Sequence, residues 1–540
     1  MRERSDVLVI GGGHNGLVCA AYLAAAGLAV TVLERRPVVG GAAVTEEFHP
    51  GFRNSTASYT VSLLDPKVIA ELHLARHGLR VVERPYANFL PLPGGGAFRL
   101  GEGQTEASLQ ASHPRDIERL AGYGAMLDRA VAVLRELMQR TPPELGGPLS
   151  VSDWLASAGV ARRLSHLDLC ARRDLLDLFT KSAGELLDHW FESEPLKAAL
   201  GWDSVVGNFA SPYTPGSAYV LLHHVFGQTN GKPGAWGHAI GGMGAITQAI
   251  AAECAARGVQ VRSGCAVERV LVEDGRARGV ALADGRELRA GVVVSNLNPK
   301  LLYQRLVAPA HLDEDTAARI ARYRCGSGTF RMNVALSELP DFSAAPGTAL
   351  QPHHQAGILV GPSLRYFEQA YFDARSRAHN PGWARAPIVE LVISSTLDDT
   401  LAPPGRHVAS LFCQHVNPEL AAAEGGWDAH RDTVARLMID TVDAVAPNFA
   451  RSVLGYRALS PLDLEREFGL VGGDIFHGAM GLDQMFSARP LLGQGRYRGA
   501  LPGLYLCGSG SHPGGGVTGL PGRNAAREIL RDLRRGPRPA

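Results

Sequence analysis

The chain has 540 residues, 45% of them hydrophobic, which is enough to bury more than one core. Its 54 Lys and Arg against 53 Asp and Glu leave a net charge of +1, and that removes the electrostatic case for a nucleic-acid partner. The seven cysteines, Cys19, Cys170, Cys254, Cys265, Cys325, Cys413 and Cys507, include no Cys-x-x-Cys pair, which argues against a redox disulfide and suits reduced thiols in a cytoplasmic protein.

In chain order, Met1–Asp6 leads straight into a strand, Val7–Ile10, so no signal peptide is expected. The strand runs into Gly11-Gly12-Gly13-His14-Asn15-Gly16, an Ala-rich helix follows, and a second strand, Val30–Leu33, ends at Glu34. This order is a dinucleotide-binding fingerprint. Gly11 allows the turn, Gly13 the approach of a pyrophosphate, Gly16 the close packing of the helix, and Glu34 suits a ribose diol. The apolar run 17–30 is too short for a membrane span and is broken by Gly27. Arg35, then Gly40-Gly41-Ala42 and Thr45, place paired glycines and a hydroxyl where FAD enzymes carry a second phosphate and ribityl contact.

Residues 80–100 alternate as strands, and 116–139 and 164–190 read as helices. Two Asp-Gly turns, Asp274-Gly275 and Asp284-Gly285, mark a β-meander over 266–295. From about 300 to 460, strands (330–336, 388–394, 407–414) mix with a helix over 427–446. Finally Leu504–Cys507 reads as a buried strand opening into a second glycine loop, Gly508-Ser509 to Gly516-Val517, and a helix. Two cofactor segments this far apart predict an α/β fold with a Rossmann-type FAD-binding domain built from both chain ends, 1–80, 235–300 and 465–535. It is interleaved with an α+β substrate domain, a sheet covered by helices, from 81–234 and 301–464. Residues 536–540 read as a disordered tail.

These segments, with 58–64, 211–217, Gly234-Ala235-Trp236-Gly237, Gly241-Gly242-Met243-Gly244, 472–478, 482–486 and Arg489-Pro490, resemble the phytoene desaturase-like FAD-dependent oxidoreductases over nearly the whole chain. The closest branch within that family is named for a pyridine nucleotide-disulfide oxidoreductase domain. The sequence departs from that name: no second dinucleotide fingerprint follows Gly241-Gly242, so no NAD(P)H domain is expected.

The resemblance implies FAD as cofactor, with its adenine near the backbone of Val267. It also implies a hydrophobic small-molecule substrate whose C–C or C–N bond is desaturated, dehydrogenated or saturated by hydride transfer. Electrons would then pass to oxygen or a quinone. Peripheral membrane contact and a homodimer stay open, although five lysines and a mean hydropathy of −0.02 give little support for a membrane surface. Two other functions also stay open: a flavin-binding regulatory or interaction protein with little turnover, and a redox-neutral polyene isomerase.

Among polar groups in these motifs, His223, His477 and His512 are the catalytic candidates, and Trp236, Met243, Gln484 and Arg489 the candidates for lining flavin or substrate. Each has an alternative reading as packing. His223 and His224 are adjacent on one helix, so at least one of them reads as structural. His73/His77 and His353/His354 lack a third ligand at metal-site spacing, so no metal is expected, and no Gly-x-Ser-x-Gly elbow points to a hydrolase.

Overall fold

The computed structural model describes residues 5–146, 151–375, 382–420 and 425–535. The expected tail, 536–540, lies outside them.

The fold is α/β. Its first sheet lies side by side in the order Gln260–Arg262, Val30–Leu33, Val7–Ile10, Val292–Ser295, Leu504–Leu506, with every pairing parallel. Val7 stands opposite Val30 on one side and Val292 on the other. These strands are short apolar runs without polar alternation, the pattern of a sheet covered on both faces. On one face, helices His14–Ala25, Met243–Ala256 and Leu520–Arg535 bury Leu17, Val18, Ile246, Ile250 and Ile529 against Val9 and Val32. On the other, Leu8, Leu33, Val293 and Leu506 meet Val270, Val280 and Tyr303. The order reverses between Val7–Ile10 and Val292–Ser295, and in open parallel sheets such a reversal leaves a crevice at the carboxyl ends of the strands.

The meander forms as Val267–Glu273, Arg276–Leu282 and Glu287–Arg289. At its first turn Asp274 and Gly275 both have positive φ, 49° and 69°, as a two-residue hairpin of this twist requires.

A second, seven-stranded sheet runs Val453–Leu459, Thr329–Leu336, His407–Val416, Trp383–Val392, Gly357–Val360, Asn88–Pro91, Ala97–Leu100. All pairs are antiparallel except Gly357–Val360 with Asn88–Pro91. Alternate residues of Trp383–Val392 serve two cores: Val389 and Leu391 pack with Val434 and Met438 of helix Gly426–Asp443, while Ile388 and Val392 pack with Leu364 and Phe367 of helix Leu364–Arg375. The stretch expected to be helical over 164–190 is three helices, Val151–His166, Leu169–Thr180 and Ala183–Trp190. Local capping breaks it. Asp168 accepts a hydrogen bond from the Ala171 amide, and Ser182 forms a reciprocal capping box with Glu185. Among the described residues no helix is long and apolar enough to cross a membrane.

Helices His14–Ala25 and Leu520–Arg535 pack backbone to backbone at Gly522, which brings distant parts of the chain together. A Cβ on Gly522 would lie 2.2 Å from the Asn15 carbonyl oxygen. Gly522→Ala is therefore expected to lower the urea midpoint by the equivalent of about 1–3 kcal/mol, an overpacking cost. Gly124→Ala, in helix Pro114–Met138 with nothing within 4 Å, should instead hold or raise it.

Candidate active site

A groove of about 140 Å³ opens at the crevice of the parallel sheet. Gly11, Gly13, His14 and Asn15 form one wall, Gly40, Gly41 and Ala42 a second, and Asn296, Leu297 and Asn298, which follow strand Val292–Ser295, a third. The floor is bare backbone: a Cβ on Gly13 would lie 2.7 Å from Asn296 Nδ2, and one on Gly16 would lie 2.3 Å from the Gly11 carbonyl. Such a floor exposes main-chain N–H groups beside the positive end of helix His14–Ala25, which suits an anion. At the far end Glu34 is held in place. Its Oε2 accepts the Gly12 amide and its Oε1 the Arg36 amide, both at 2.8 Å. Val267 and Cys265 from the meander line the same end, with Arg35, whose guanidinium donates to the carbonyls of Arg466 and Glu467.

Through His14, Ala42, Leu470, His477 and Ser509 the groove runs on into a chamber of about 130 Å³. Its walls are mostly apolar, with Tyr59, Val61, Leu63, Trp236, Met243, Ile246, Phe412 and Phe476 among them, closed by Gly516 and Val517 of the second glycine loop. Ser509 Oγ accepts from Asn15 Nδ2 at 3.1 Å, so the two glycine loops meet directly. Asn15 Oδ1, Ser62 Oγ and His477 Nδ1 line these cavities, buried and without a hydrogen-bond partner among the described residues. Buried polar atoms are rarely left so. A bare-backbone floor, an anchored acid and orphaned polar atoms along a groove that ends in an apolar chamber fit a dinucleotide carrying a flat, partly polar ring.

Several residues singled out by the sequence stand elsewhere. His512 turns away, its Nε2 at 3.1 Å from the Leu137 carbonyl. His223 is buried behind the chamber wall, edge-on to His224 and Phe476 and beside Gly516, and it is the neighbouring His224 that lines the chamber. Gln484 brackets the backbone of Arg324, accepting from its amide at 2.8 Å and donating to its carbonyl at 3.1 Å. Arg489, fully buried, donates to the carbonyls of Ser509, Phe476, Gly478, Ala479 and Gln484. Both are behind the site and line neither cavity. Thr45 Oγ1 accepts the Gly244 amide, and Gly508 packs against the Asn296 backbone, so these two support the loops.

The sequence reading did not single out Asn296–Asn298, Tyr59 or Phe412, and of the adjacent pair it put forward His223, where the structure places His224 on the chamber wall. His73 and His77 join Glu253 rather than standing apart, and among the described residues no group of three His, Cys, Asp or Glu could hold a metal. Cys19 and Cys507, distant in sequence, are neighbours in the core, where burial pushes the Cys507 thiol well above its ordinary range and leaves it unreactive.

The imidazoles here are neutral at neutral pH. Burial, with His14 and the Arg489 guanidinium nearby, lowers His477 to about 3; burial lowers His14 to about 4 against a raising contact from the Gly516 main chain. Burial also lowers His224 and His512 to about 4 and, with His224 and Arg489 nearby, His223 to about 3.

The fold and groove define a flavoprotein oxidoreductase: the chain belongs to the flavin-containing amine oxidoreductase family, whose sequence profile matches residues 16–331, and its cofactor is FAD. It is 41% identical to rat (Rattus norvegicus) pyridine nucleotide-disulfide oxidoreductase domain-containing protein 2, over 99% of this chain and 94% of that protein. It is 26% identical to the lycopene-forming phytoene desaturase of a Paracoccus species, with 97% of each chain covered. Among solved structures, cyclohexylamine oxidase from Brevibacterium oxydans shares the fold at a TM-score of 0.57 and 16% identity, covering 98% of this chain and 100% of that one.

Two outcomes follow from the burial at the site. Arg489→Lys removes the planar fork that serves five carbonyls, and the urea midpoint should fall by the equivalent of at least about 3 kcal/mol. The second concerns pH. His223, His224, His415 and His512, each no more than 4% exposed, have folded pKa values depressed to about 3–4, whereas the unfolded chain takes up their protons near the model-peptide value of 6.5. Their contribution is present above that value and is lost as pH falls toward the folded values. Thermal midpoints should therefore drop steadily from pH 7 to pH 4, by up to about 1.4 kcal/mol per pH unit for each histidine. His512→Asn should flatten the slope.

Proposed function

We propose that the enzyme oxidises a hydrophobic small molecule at a C–C or C–N bond, one hydrogen leaving as a hydride and its neighbour as a proton, with the electrons passing on to oxygen or a quinone. The observation that carries this reading is the apolar chamber continuous with the dinucleotide groove through His14, Ala42, Leu470, His477 and Ser509. Bound FAD supplies the hydride acceptor. In this reading Gly13, Gly40 and Gly41 hold the pyrophosphate, Glu34 the ribose, and Val267 the adenine side. Tyr59, Trp236, Met243, Phe412 and Phe476 exclude water and hold the apolar substrate, which keeps hydride transfer free of competing solvent. The names of the relatives span both bond types, a phytoene desaturase and a cyclohexylamine oxidase.

No histidine of the chamber is suited to keeping a proton at neutral pH, since burial holds His477 near 3 and His224 near 4. In this reading His477 is a neutral ring whose Nδ1, unpartnered among the described residues, would hydrogen-bond the bound flavin and hold it in place. It is a positioning residue.

Anaerobic addition of apolar alkenes, alkanes and amines to the FAD-loaded protein should bleach the oxidised-flavin absorbance with at least one of them. Flavin that stays oxidised with every compound overturns the reading in favour of a flavin-binding protein without turnover. His477→Ala should shift the flavin absorbance maximum and lower kcat/KM about tenfold, the worth of one hydrogen bond, with partial rescue by His477→Gln.

A further inference from the structure

Away from the flavin groove, a cleft of about 770 Å³ opens between the end of helix Pro114–Met138 and helix Leu520–Arg535. Its lining carries seven cationic side chains against two carboxylates, Glu136 and Glu528, in a chain whose charges sum to +1. Lys67, Arg140 and Arg496 come from three separate segments. The other four, Arg523, Arg527, Arg531 and Arg535, recur every fourth residue and form one stripe down the final helix.

Helix stability alone does not select such a row. Like charges four residues apart repel on a helix surface. The helix dipole favours a cation near the C-terminus, where Arg531 and Arg535 stand, but not at Arg523 and Arg527. The two carboxylates are already engaged. Glu528, 1% exposed, accepts from Thr141 Oγ1 at 2.8 Å and from Arg498 Nη2 at 3.0 Å and pairs with Arg531 at 2.8 Å, while Glu136 pairs with Arg140 and Arg163. Glu71, from outside the cleft, meets Arg523 at 3.0 Å. Lys67 and Arg527 donate to neutral acceptors, the Gln139 side-chain oxygen at 2.6 Å and its carbonyl at 3.4 Å. A concave wall focuses the field of these surplus cations into the cleft. Guanidinium forks match phosphate oxygens in pairs, and several phosphates in a row answer several turns of the stripe at once. Among the described residues no aromatic ring lines the cleft, so charge carries recognition.

We propose that this cleft binds a ligand presenting two or more clustered phosphate groups, a soluble oligophosphate or a group of phospholipid headgroups, held by the arginine stripe with Lys67. It is a site separate from the flavin chamber and groove, with which it shares no lining residue. The bound ligand ties the segment after helix Pro114–Met138 to the final helix. Asn524 and His512 hold the same junction through the carbonyls of Met138 and Leu137.

Calorimetric titration of the FAD-loaded protein, freed of excess FAD, with orthophosphate, pyrophosphate and tripolyphosphate tests it. Affinity should rise with each added phosphate, tripolyphosphate binding about tenfold or more tighter than orthophosphate. Arg527→Glu should weaken tripolyphosphate about tenfold, and Arg527→Lys should keep most of the affinity. Arg436→Glu makes the same change of net charge at an exposed position of helix Gly426–Asp443, which packs on the seven-stranded sheet, and should leave the affinity within about threefold. Co-sedimentation with phosphatidylglycerol vesicles separates the two sources. Capture that tripolyphosphate displaces and Arg527→Glu abolishes identifies headgroups; tripolyphosphate binding without capture identifies a soluble ligand. Orthophosphate binding as tightly as tripolyphosphate, neither tripolyphosphate binding nor vesicle capture, or binding or capture that survives Arg527→Glu overturns the proposal. The wild-type comparison decides even where a variant fails to fold.

Discussion

The buried guanidinium of Arg489 is the constraint on which the site depends. The loop that follows helix Pro461–Phe468 and the second glycine loop carry few regular hydrogen bonds of their own, and buried carbonyls need donors. Arg489 supplies five N–H groups in one plane to the carbonyls of Phe476, Gly478, Ala479, Gln484 and Ser509, and so gathers two irregular segments around one point. Phe476 and His477 are thereby set as walls of the chamber, and Ser509 is set against Asn15. The sheet provides the crevice; this cation shapes its far side.

Its charge has a second effect. Arg489 lowers His223, His477 and His512 and also stands near Asp474, whose carboxyl is raised by burial and lowered by Arg489 and by the amides of Gly326 and Phe476. Burial is the main reason that the surrounding imidazoles stay neutral, and the permanent cation adds to it at His223, His477 and His512, so the chamber remains apolar in character despite its histidines. Hydride chemistry benefits from such a setting, because the polar groups that remain are dipoles fixed by the fold rather than charges that exchange with solvent.

What the sequence made legible was local. Gly11 to Gly16 and Glu34 lie within one strand-helix-strand unit, so their spacing carries their geometry, and Gly11, Gly13, His14, Asn15 and Glu34 line one groove. The Asp-Gly turns and the capping signals are local in the same way. Gln484, Arg489, His512 and Thr45 misled because they sit in glycine-dense motifs, and the density that suggested a ligand reflects backbone packed on backbone, with these side chains serving its carbonyls and amides. Tyr59 and Phe412 were illegible for the opposite reason. Each is a single residue in an ordinary strand or loop, and only the closure of the two sheets brings residues 59 and 412 to the wall of one chamber.

The strand Leu504–Leu506 completes the parallel sheet beside Val292–Ser295, and the helix after it seats Gly522 on Asn15. The nucleotide groove begins at residue 11, yet its support is finished only by residues near the end of the chain. During synthesis the first fingerprint therefore emerges hundreds of residues before its partner, and the cofactor site comes into being last. Contacts of such long sequence separation close slowly. A groove built this way has its full set of walls only once strand Leu504–Leu506 has joined the sheet.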